Sequence, residues 1–240
     1  LIMHTSARTY FEAVRYIKSK ETETDLSYQI NQTLVQKPDY VPYDELQIKR
    51  LNQQALESAR ATRYYDGRLI NETSIKKFQL GFSEKQDMVT IPVHSPDGIT
   101  VGFVGRSIEG KEFKNTPGLP KSKTLFNIHR VKTAGKVYVV ESSFDAIRLD
   151  QCGFPAVATL GANVSSFQTD LLIKYFNNVI VIADNDEAGG NMKDKIVERL
   201  GSRVTVIKID KQYKDIGDMS DEAIKNIDES FDKTIASMLN

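Results

Sequence analysis

The feature that most constrains this chain is the regular alternation of short apolar strands and helices after residue 135. The strands are predicted over Val137–Val140, Ala156–Thr159, Asn178–Ala183 and Val204–Ile209. The helices between them are predicted over Ser143–Gln151, Ser165–Tyr175 and Gly189–Leu200. Because β-branched strands that alternate with helices form parallel sheets covered on both faces, this half of the chain predicts an α/β domain.

Carboxylates follow three of these four strands. They are Glu141, Asp145, Asp184, Asp186, Asp215 and Asp218. Ligands of parallel sheets bind beyond the carboxyl ends of the strands, and acids gathered there repel one another unless a cation neutralises them. Oxygen ligands select Mg²⁺ or Mn²⁺, so the pattern predicts a metal site. The alternative is that each acid only caps the helix that follows its strand.

The chain before residue 135 has a different texture. One helix is predicted from Tyr43 to about Thr62 and a short one over Glu72–Phe78. Met88–Val93 and Thr100–Phe103 predict a hairpin, since the Ser-Pro-Asp-Gly run between them is typical of a turn. Residues 105–132, the basic segment, hold seven Lys and Arg against two Glu, and we expect little regular structure there.

Charge divides the chain although its net charge is zero. Residues 60–134 carry 13 Lys and Arg against 7 Asp and Glu, whereas residues 135–240 carry 12 against 17. A basic half beside an acidic half is typical of a polyanion-binding surface next to a metal site. A chance distribution of surface charge is the alternative.

Composition excludes several classes of protein. No apolar run is long enough for a membrane helix, and the amino terminus lacks the pattern of a signal peptide. Cys152 is the only cysteine, which excludes an internal disulfide or a cysteine-based zinc ribbon within these residues and fits a reducing cytoplasm. Because the first residue is Leu1, we expect a trimmed or processed chain.

Three runs in the second half resemble a known domain. They are Val-Val-Glu141-Ser-Ser-Phe-Asp145-Ala, Ala-Thr-Leu-Gly161 and Ile-Ala-Asp184-Asn-Asp186-Glu-Ala-Gly189. Together they resemble the TOPRIM domain that topoisomerases and primases share. Two earlier runs, Val101-Gly102-Phe103-Val-Gly105-Arg106 and Lys121-Ser-Lys123-Thr-Leu125-Phe126, resemble the RNA polymerase core of bacterial-type, DnaG-like DNA primases. The run from Lys214 to Ser220 is similar to phage-encoded primases.

The resemblance implies an α/β protein in which an α+β amino-terminal subdomain precedes a TOPRIM parallel-sheet domain. We expect a leading helix and linker over residues 1–58, the basic amino-terminal subdomain over 59–134, the TOPRIM domain over 135–218 and a carboxyl-terminal helix over 219–240. Residues 9–14 resemble the helix that closes the zinc-binding domain of primases, so we expect zinc only in an upstream module that this sequence lacks. An ordinary amphipathic helix is the alternative.

The resemblance also implies an activity, the metal-dependent synthesis of short RNA primers on single-stranded DNA during replication. Glu141, Asp184 and Asp186 would be catalytic, with Asp215, Asp218 and more remotely Asp145 completing a site for two or more Mg²⁺ or Mn²⁺ ions. The residues expected to contact template or nucleotide are Arg106, Lys114, Asn115, Lys121 and Lys123. Implied partners are single-stranded DNA, ribonucleoside triphosphates and a replicative helicase, with no membrane, in the cytoplasm (the host's for a phage protein).

Departures from the family pattern leave the carboxylates in place. Ser142 stands where the family commonly has glycine, Asn185 separates the two aspartates, and two residues rather than one lie between Asp215 and Asp218. Two other functions stay open, a TOPRIM nuclease and a non-catalytic module that docks on helicase or single-stranded DNA. The basic, polymerase-like residues 82–126 argue against the first, and the complete set of acids argues against the second.

Overall fold

The computed structural model describes residues 40–184 and 187–227. The predictions about the leading helix, and about the chain beyond residue 227, lie outside these residues. Within them, no helix is long and apolar enough to cross a membrane.

The bounds of the elements follow the chain in order. The described α-helices are α1 (Glu45–Glu57), α2 (Ala59–Asp66), α3 (Glu72–Lys77), α4 (Ile128–Val131), α5 (Ser143–Gln151), α6 (Ser166–Tyr175), α7 (Glu187–Leu200) and α8 (Asp221–Lys225). The described strands are β1 (Gly81–Ser83), β2 (Met88–His94), β3 (Thr100–Ser107), β4 (Phe113–Asn115), β5 (Lys136–Val140), β6 (Ala156–Ala158), β7 (Asn178–Ala183) and β8 (Val204–Lys208).

The first four strands form an antiparallel sheet in the order β1-β2-β3-β4. The predicted hairpin is confirmed as β2 and β3, and Gly98 closes its turn with a φ of 86°. This positive φ strains any residue with a Cβ, which is why glycine stands there. Helix α1 packs on this sheet, and the side-chain amide of Asn52 donates to the carbonyls of Ile75 and Leu80.

The last four strands form the predicted parallel sheet, in the order β6-β5-β7-β8. Its central strands are apolar along their length because helices cover both faces, and Tyr138 of β5 is fully buried. Helices α6 and α7 contact each other. Since parallel crossovers are right-handed, these two helices share one face and α5 covers the other.

The structure corrects two predictions in the first half of the chain. The single helix predicted from Tyr43 to Thr62 is two helices, because Ser58 leaves the helical conformation and its hydroxyl caps α2 by accepting from the amide of Ala61. The predicted boundary after residue 58 therefore falls between two consecutive helices. The basic segment is also more regular than expected, since it contains the end of β3, all of β4, a 3₁₀ helix over Lys121–Lys123 and α4.

One hydrophobic core joins the two sheets. It includes Phe78 and Ile91 from the first half of the chain and Tyr138 and Ile180 from the parallel sheet. Phe126 also pairs with Ala158 of the edge strand β6 in an antiparallel bridge. The basic segment is thereby attached directly to the edge of the parallel sheet.

Candidate active site at the carboxyl edge of the parallel sheet

The order of the parallel strands creates a crevice between β5 and β7. The two strands are neighbours, but the chain leaves β5 toward β6 and leaves β7 toward β8, on opposite sides. Such a switch of direction opens a ligand crevice at the carboxyl ends of the two strands. Glu141 and Asp184 directly follow these two strands and therefore flank the crevice.

Among the acids of this edge that the structure describes, Asp145 is the most enclosed, with 3% of its surface exposed. It lies in the first turn of α5, and its Oδ1 accepts from the amide of Gly217 at 2.9 Å. Burial raises the pKa of the Asp145 carboxyl well above its usual range, and the charges of Asp215 and Asp184 raise it further. Asp145 lies one helical turn beyond the end of β5, as predicted, and it is still close enough to Asp215 and Asp184 to feel their charges.

Asp215 and Asp218 lie in one turn after β8, and their carboxylates have different environments. Asp215 caps the 3₁₀ helix Ile216–Asp218, with its Oδ1 accepting from the amide of Asp218 at 3.2 Å. The carboxylate of Asp218 is exposed and accepts from the amide of Lys214 at 3.2 Å. The structure thus brings Asp215 toward Asp145, whereas it turns Asp218 back onto its own loop.

Two glycines of this edge are required for steric reasons, and the sequence analysis assigned neither a role. A Cβ on Gly189 would lie 2.6 Å from both the backbone nitrogen and the carbonyl oxygen of Asp184. A Cβ on Gly217 would lie 3.0 Å from Oδ1 of Asp215 and 3.2 Å from Oδ1 of Asp145. The sequence signal that could have identified them is their position, since Gly189 and Gly217 each follow a predicted site aspartate within six residues.

The carboxylates suit a hard divalent cation. Asp145 interacts electrostatically with both Asp215 and Asp184, and a bound cation would offset this repulsion and the cost of burying Asp145. Asp186, the sixth predicted acid, lies outside the described residues. Without it, the described residues contain no cluster of three or more His, Cys, Asp or Glu side chains in metal-binding geometry. Oxygen ligands at this edge fit Mg²⁺ or Mn²⁺ better than softer metals.

Gln168 attaches the basic segment to this edge, a role that the sequence analysis missed. Its side chain is 1% exposed, and its amide nitrogen donates to the carbonyls of Lys121, Thr124 and Thr159 at 2.8 to 3.0 Å. The Nζ of Lys121 lies 3.5 Å from the carbonyl of Leu160, just beyond β6. Lys121 and the exposed Lys123 therefore lie on a turn fixed against the carboxyl end of the parallel sheet.

The other predicted contacts of the basic segment lie on opposite faces of the antiparallel sheet. Arg106 is paired with Val89 and Phe113, and Val89 belongs to the main core. Cross-strand partners share a face, so Arg106 is on the face that adjoins the parallel sheet, and Asn115, two residues from Phe113, is on it too. The guanidinium of Arg106 covers the ring of Phe113 at 4.6 Å. Lys114 is exposed on the opposite face.

Comparison with known proteins agrees with this geometry. Residues 138–220 match a Toprim-like family model. The DNA primase of Mycoplasma pneumoniae is 30% identical over 166 residues, which are 64% of this chain and 25% of the relative. A solved structure of the zinc-binding and RNA polymerase domains of Aquifex aeolicus primase matches with a TM-score of 0.65 at 22% identity, over 95% of this chain and 68% of that one. A DnaG primase catalytic domain solved with single-stranded DNA matches with a TM-score of 0.62 at 20% identity, over 78% of this chain and 79% of that one.

These similarities confirm two predictions made from the motifs. The chain is similar in sequence to bacterial DNA primases, and its α/β fold is that of the DnaG catalytic core. The matched segments span about a quarter of the length of the Mycoplasma relatives. A phage origin stays a prediction.

Proposed function

From this relationship to bacterial DNA primases, we propose that the chain is a primase catalytic core that copies single-stranded DNA into short RNA primers. One observation carries the proposal. The likeness to the Aquifex aeolicus primase structure covers 95% of the chain, so it extends well beyond residues 138–220 and takes in most of the antiparallel sheet. A nuclease that shares only the Toprim-like domain does not need a basic sheet attached to its carboxylates.

The acids of the crevice have distinct roles in this proposal. Asp184, Asp186, Asp215 and Asp218 would hold Mg²⁺ or Mn²⁺, two or more ions in all. When bound, the ions would lower the pKa of the attacking 3′-hydroxyl and neutralise charge on the leaving pyrophosphate. Glu141, beside the crevice, serves as a ligand or accepts the hydroxyl proton. Asp145 has a more remote role, because the bond that it accepts from the amide of Gly217 fixes the turn that carries Asp215.

The basic segment supplies the cationic contacts. Arg106 and Asn115 face the side of the parallel sheet, and Lys121 and Lys123 lie on the turn held by Gln168. These positions fit contacts to template phosphates or to the incoming triphosphate, which would make binding sensitive to salt. Lys114, on the other face, would contact a more distant part of the template.

The relationship also supports proposals about the surroundings of the protein. We expect ribonucleoside triphosphates as substrates, a replicative helicase as partner and a cytoplasmic location. Zinc would be held by a module upstream of these residues rather than by the core itself.

A primer-synthesis assay tests the proposed function. The chain is incubated with single-stranded DNA, labelled ribonucleotides and Mn²⁺ or Mg²⁺, beside the variants Glu141→Gln and Asp184→Ala. Glu198→Gln, an exposed glutamate of α7, is the matched control. We expect short RNA from the wild type and the control, and none from the two site variants. Metal-dependent loss of the DNA would establish the nuclease instead, and DNA binding without either product would favour the docking module.

A further inference from the structure

The guanidinium of Arg148 is fully buried under the acidic crevice, although nothing in the proposed chemistry uses it. Arg148 lies on α5, three residues after Asp145. Its Nη2 donates to the carbonyl of Met219 at 2.8 Å, and its Nη1 bonds to the carboxylate of Asp221. Both partners belong to the segment that follows Asp215 and Asp218.

Asp145 and Arg148 hold the same segment at successive points. Residues three apart lie on the same side of a helix. Asp145 accepts from the amide of Gly217, and Arg148 bonds two and four residues further along, at Met219 and Asp221. One side of α5 therefore fixes the whole turn from Gly217 to Asp221 through complementary charges, an acid for the amide and a base for the carbonyl and carboxylate.

Arg148 also connects this turn to the first half of the chain. Its Nη1 donates to the carbonyl of Leu69 at 2.9 Å, and Gln151 donates to the same carbonyl at 2.9 Å. Leu69 lies in the turn between α2 and α3 with a φ of 56°. Three acceptors in different directions require the planar fork of a guanidinium, because a lysine ammonium is a single point.

We infer that Arg148 is a positioning residue that fixes the Asp215 turn against α5, so that the carboxylate of Asp215 stays close to that of Asp145. The inference rests on the proposed function in that it makes this turn part of the metal site. It assigns Arg148 no contact with substrate or metal.

If Arg148 only stabilised the fold, its replacement would change stability and leave Mn²⁺ affinity unchanged. The Nε of Arg148 is buried and has no hydrogen-bond partner. The carboxylate of Asp221 is half exposed, so water can solvate it when Arg148 is replaced by methionine, and the lost bonds to the carbonyls of Leu69 and Met219 are the remaining cost. Arg148→Met thus separates the two roles, because it can retain the packing of α5 while it releases the turn.

The test compares Arg148→Met and Arg148→Lys with Arg199→Met, a control whose guanidinium pairs with Asp170 on the face of α6 and α7. Binding of Mn²⁺ alone is measured by calorimetry or electron paramagnetic resonance, amide exchange at Gly217 by hydrogen exchange, and stability by thermal unfolding. We expect Arg148→Met to weaken Mn²⁺ binding about 10-fold and to speed exchange at Gly217. Arg148→Lys should lie between it and the wild type.

Mn²⁺ affinity and Gly217 exchange within twofold of the Arg199→Met control would overturn the inference. Should Arg148→Met fail to fold, Arg148→Lys decides, since it retains the charge and most of the stem. Neither measurement needs primer synthesis. A wild type that binds Mn²⁺ and makes no primers would overturn the proposed function, and the two variants would still decide the role of Arg148.

Discussion

The two sheets of this molecule carry their charged side chains in different places. On the parallel sheet the acids follow the ends of strands, so the order of the strands brings Glu141 and Asp184 to one crevice. On the antiparallel sheet the cations lie along the strands, where alternation puts Arg106 and Lys114 on opposite faces. A site at strand ends depends on topology alone, whereas a site on a sheet face depends on register.

The largest expected effect comes from moving the end of β7 without removing an acid, which tests whether the site depends on where that strand ends. Gly189→Ala places a Cβ 2.6 Å from the backbone of Asp184, so the strand end must move. We expect primer synthesis to fall on the order of 100-fold, since small displacements of reacting groups have effects of that size. Stability should fall by about 1–3 kcal/mol.

The neighbouring glycine is the matched control. A Cβ on Gly190 would meet nothing within 4 Å, and the residue lies inside α7. Gly190→Ala should retain activity and gain about 0.5–1 kcal/mol of stability from the better helix propensity of alanine. Equal activity losses in the two variants, measured in the same assay, would show that the close approach at Asp184 does not matter.

The second prediction concerns Gln168, which attaches the basic segment to the parallel sheet. Gln168→Leu removes the donor to the carbonyls of Lys121, Thr124 and Thr159, which are left without this partner. We expect a loss of about 1–3 kcal/mol in urea unfolding and weaker binding of single-stranded DNA. Thr169→Val, which removes one bond inside α6, is the control and should leave DNA binding unchanged. DNA binding that survives Gln168→Leu intact would separate the Lys121 turn from the interface.

The difference between the two sheets also explains how much of the molecule could be predicted from the sequence. The parallel sheet and its acids were predicted because buried strands and the residues after them are visible as local patterns. Gln168 and Arg148 were not, since each lies within a helix and acts on chain that is 44 to 79 residues away in sequence. The strand β4 was missed because its three residues are all exposed and show no alternation.

The third prediction compares the two faces of the antiparallel sheet. Arg106→Met removes a cation on the face that adjoins the parallel sheet, and Lys114→Met removes one on the other face. We expect the first to weaken DNA binding more, and to reduce the slope of log affinity against log salt by about 1 if it removes one phosphate contact. Fluorescence anisotropy across a salt series measures both. A larger effect from Lys114→Met would place the nucleic acid on the opposite face.

The last prediction concerns stability rather than activity, through two histidines that lie far apart in the sequence. The rings of His94 and His129 lie with centroids 4.3 Å apart and planes tilted by 33°, beside a cavity of about 190 Å³ that Glu45 also lines. Burial and the charge of Arg130 lower the pKa of His94 to about 4. Burial, then the charges of Arg130, His94 and Lys132, lower the pKa of His129 to about 3.

The sign of the resulting pH dependence follows from proton uptake. Below pH 6.5 the histidines of the unfolded chain bind protons, whereas those of the folded chain stay neutral. The free energy of unfolding therefore falls as the pH is lowered from 6.5 toward the folded pKa values. Urea unfolding between pH 7 and 4.5 should show this loss, and His129→Gln should make it smaller. A slope unchanged by the substitution would assign the pH dependence to other groups.

The decisive measurement is whether the RNA that the chain makes depends on the template. The chain is given Mn²⁺ and all four ribonucleotides with two single-stranded templates of different composition, and the base composition of the RNA is determined. The account predicts that the product complements each template in turn, and that Glu141→Gln makes neither product. RNA of the same composition from both templates, or none from either while the DNA is degraded, would contradict it.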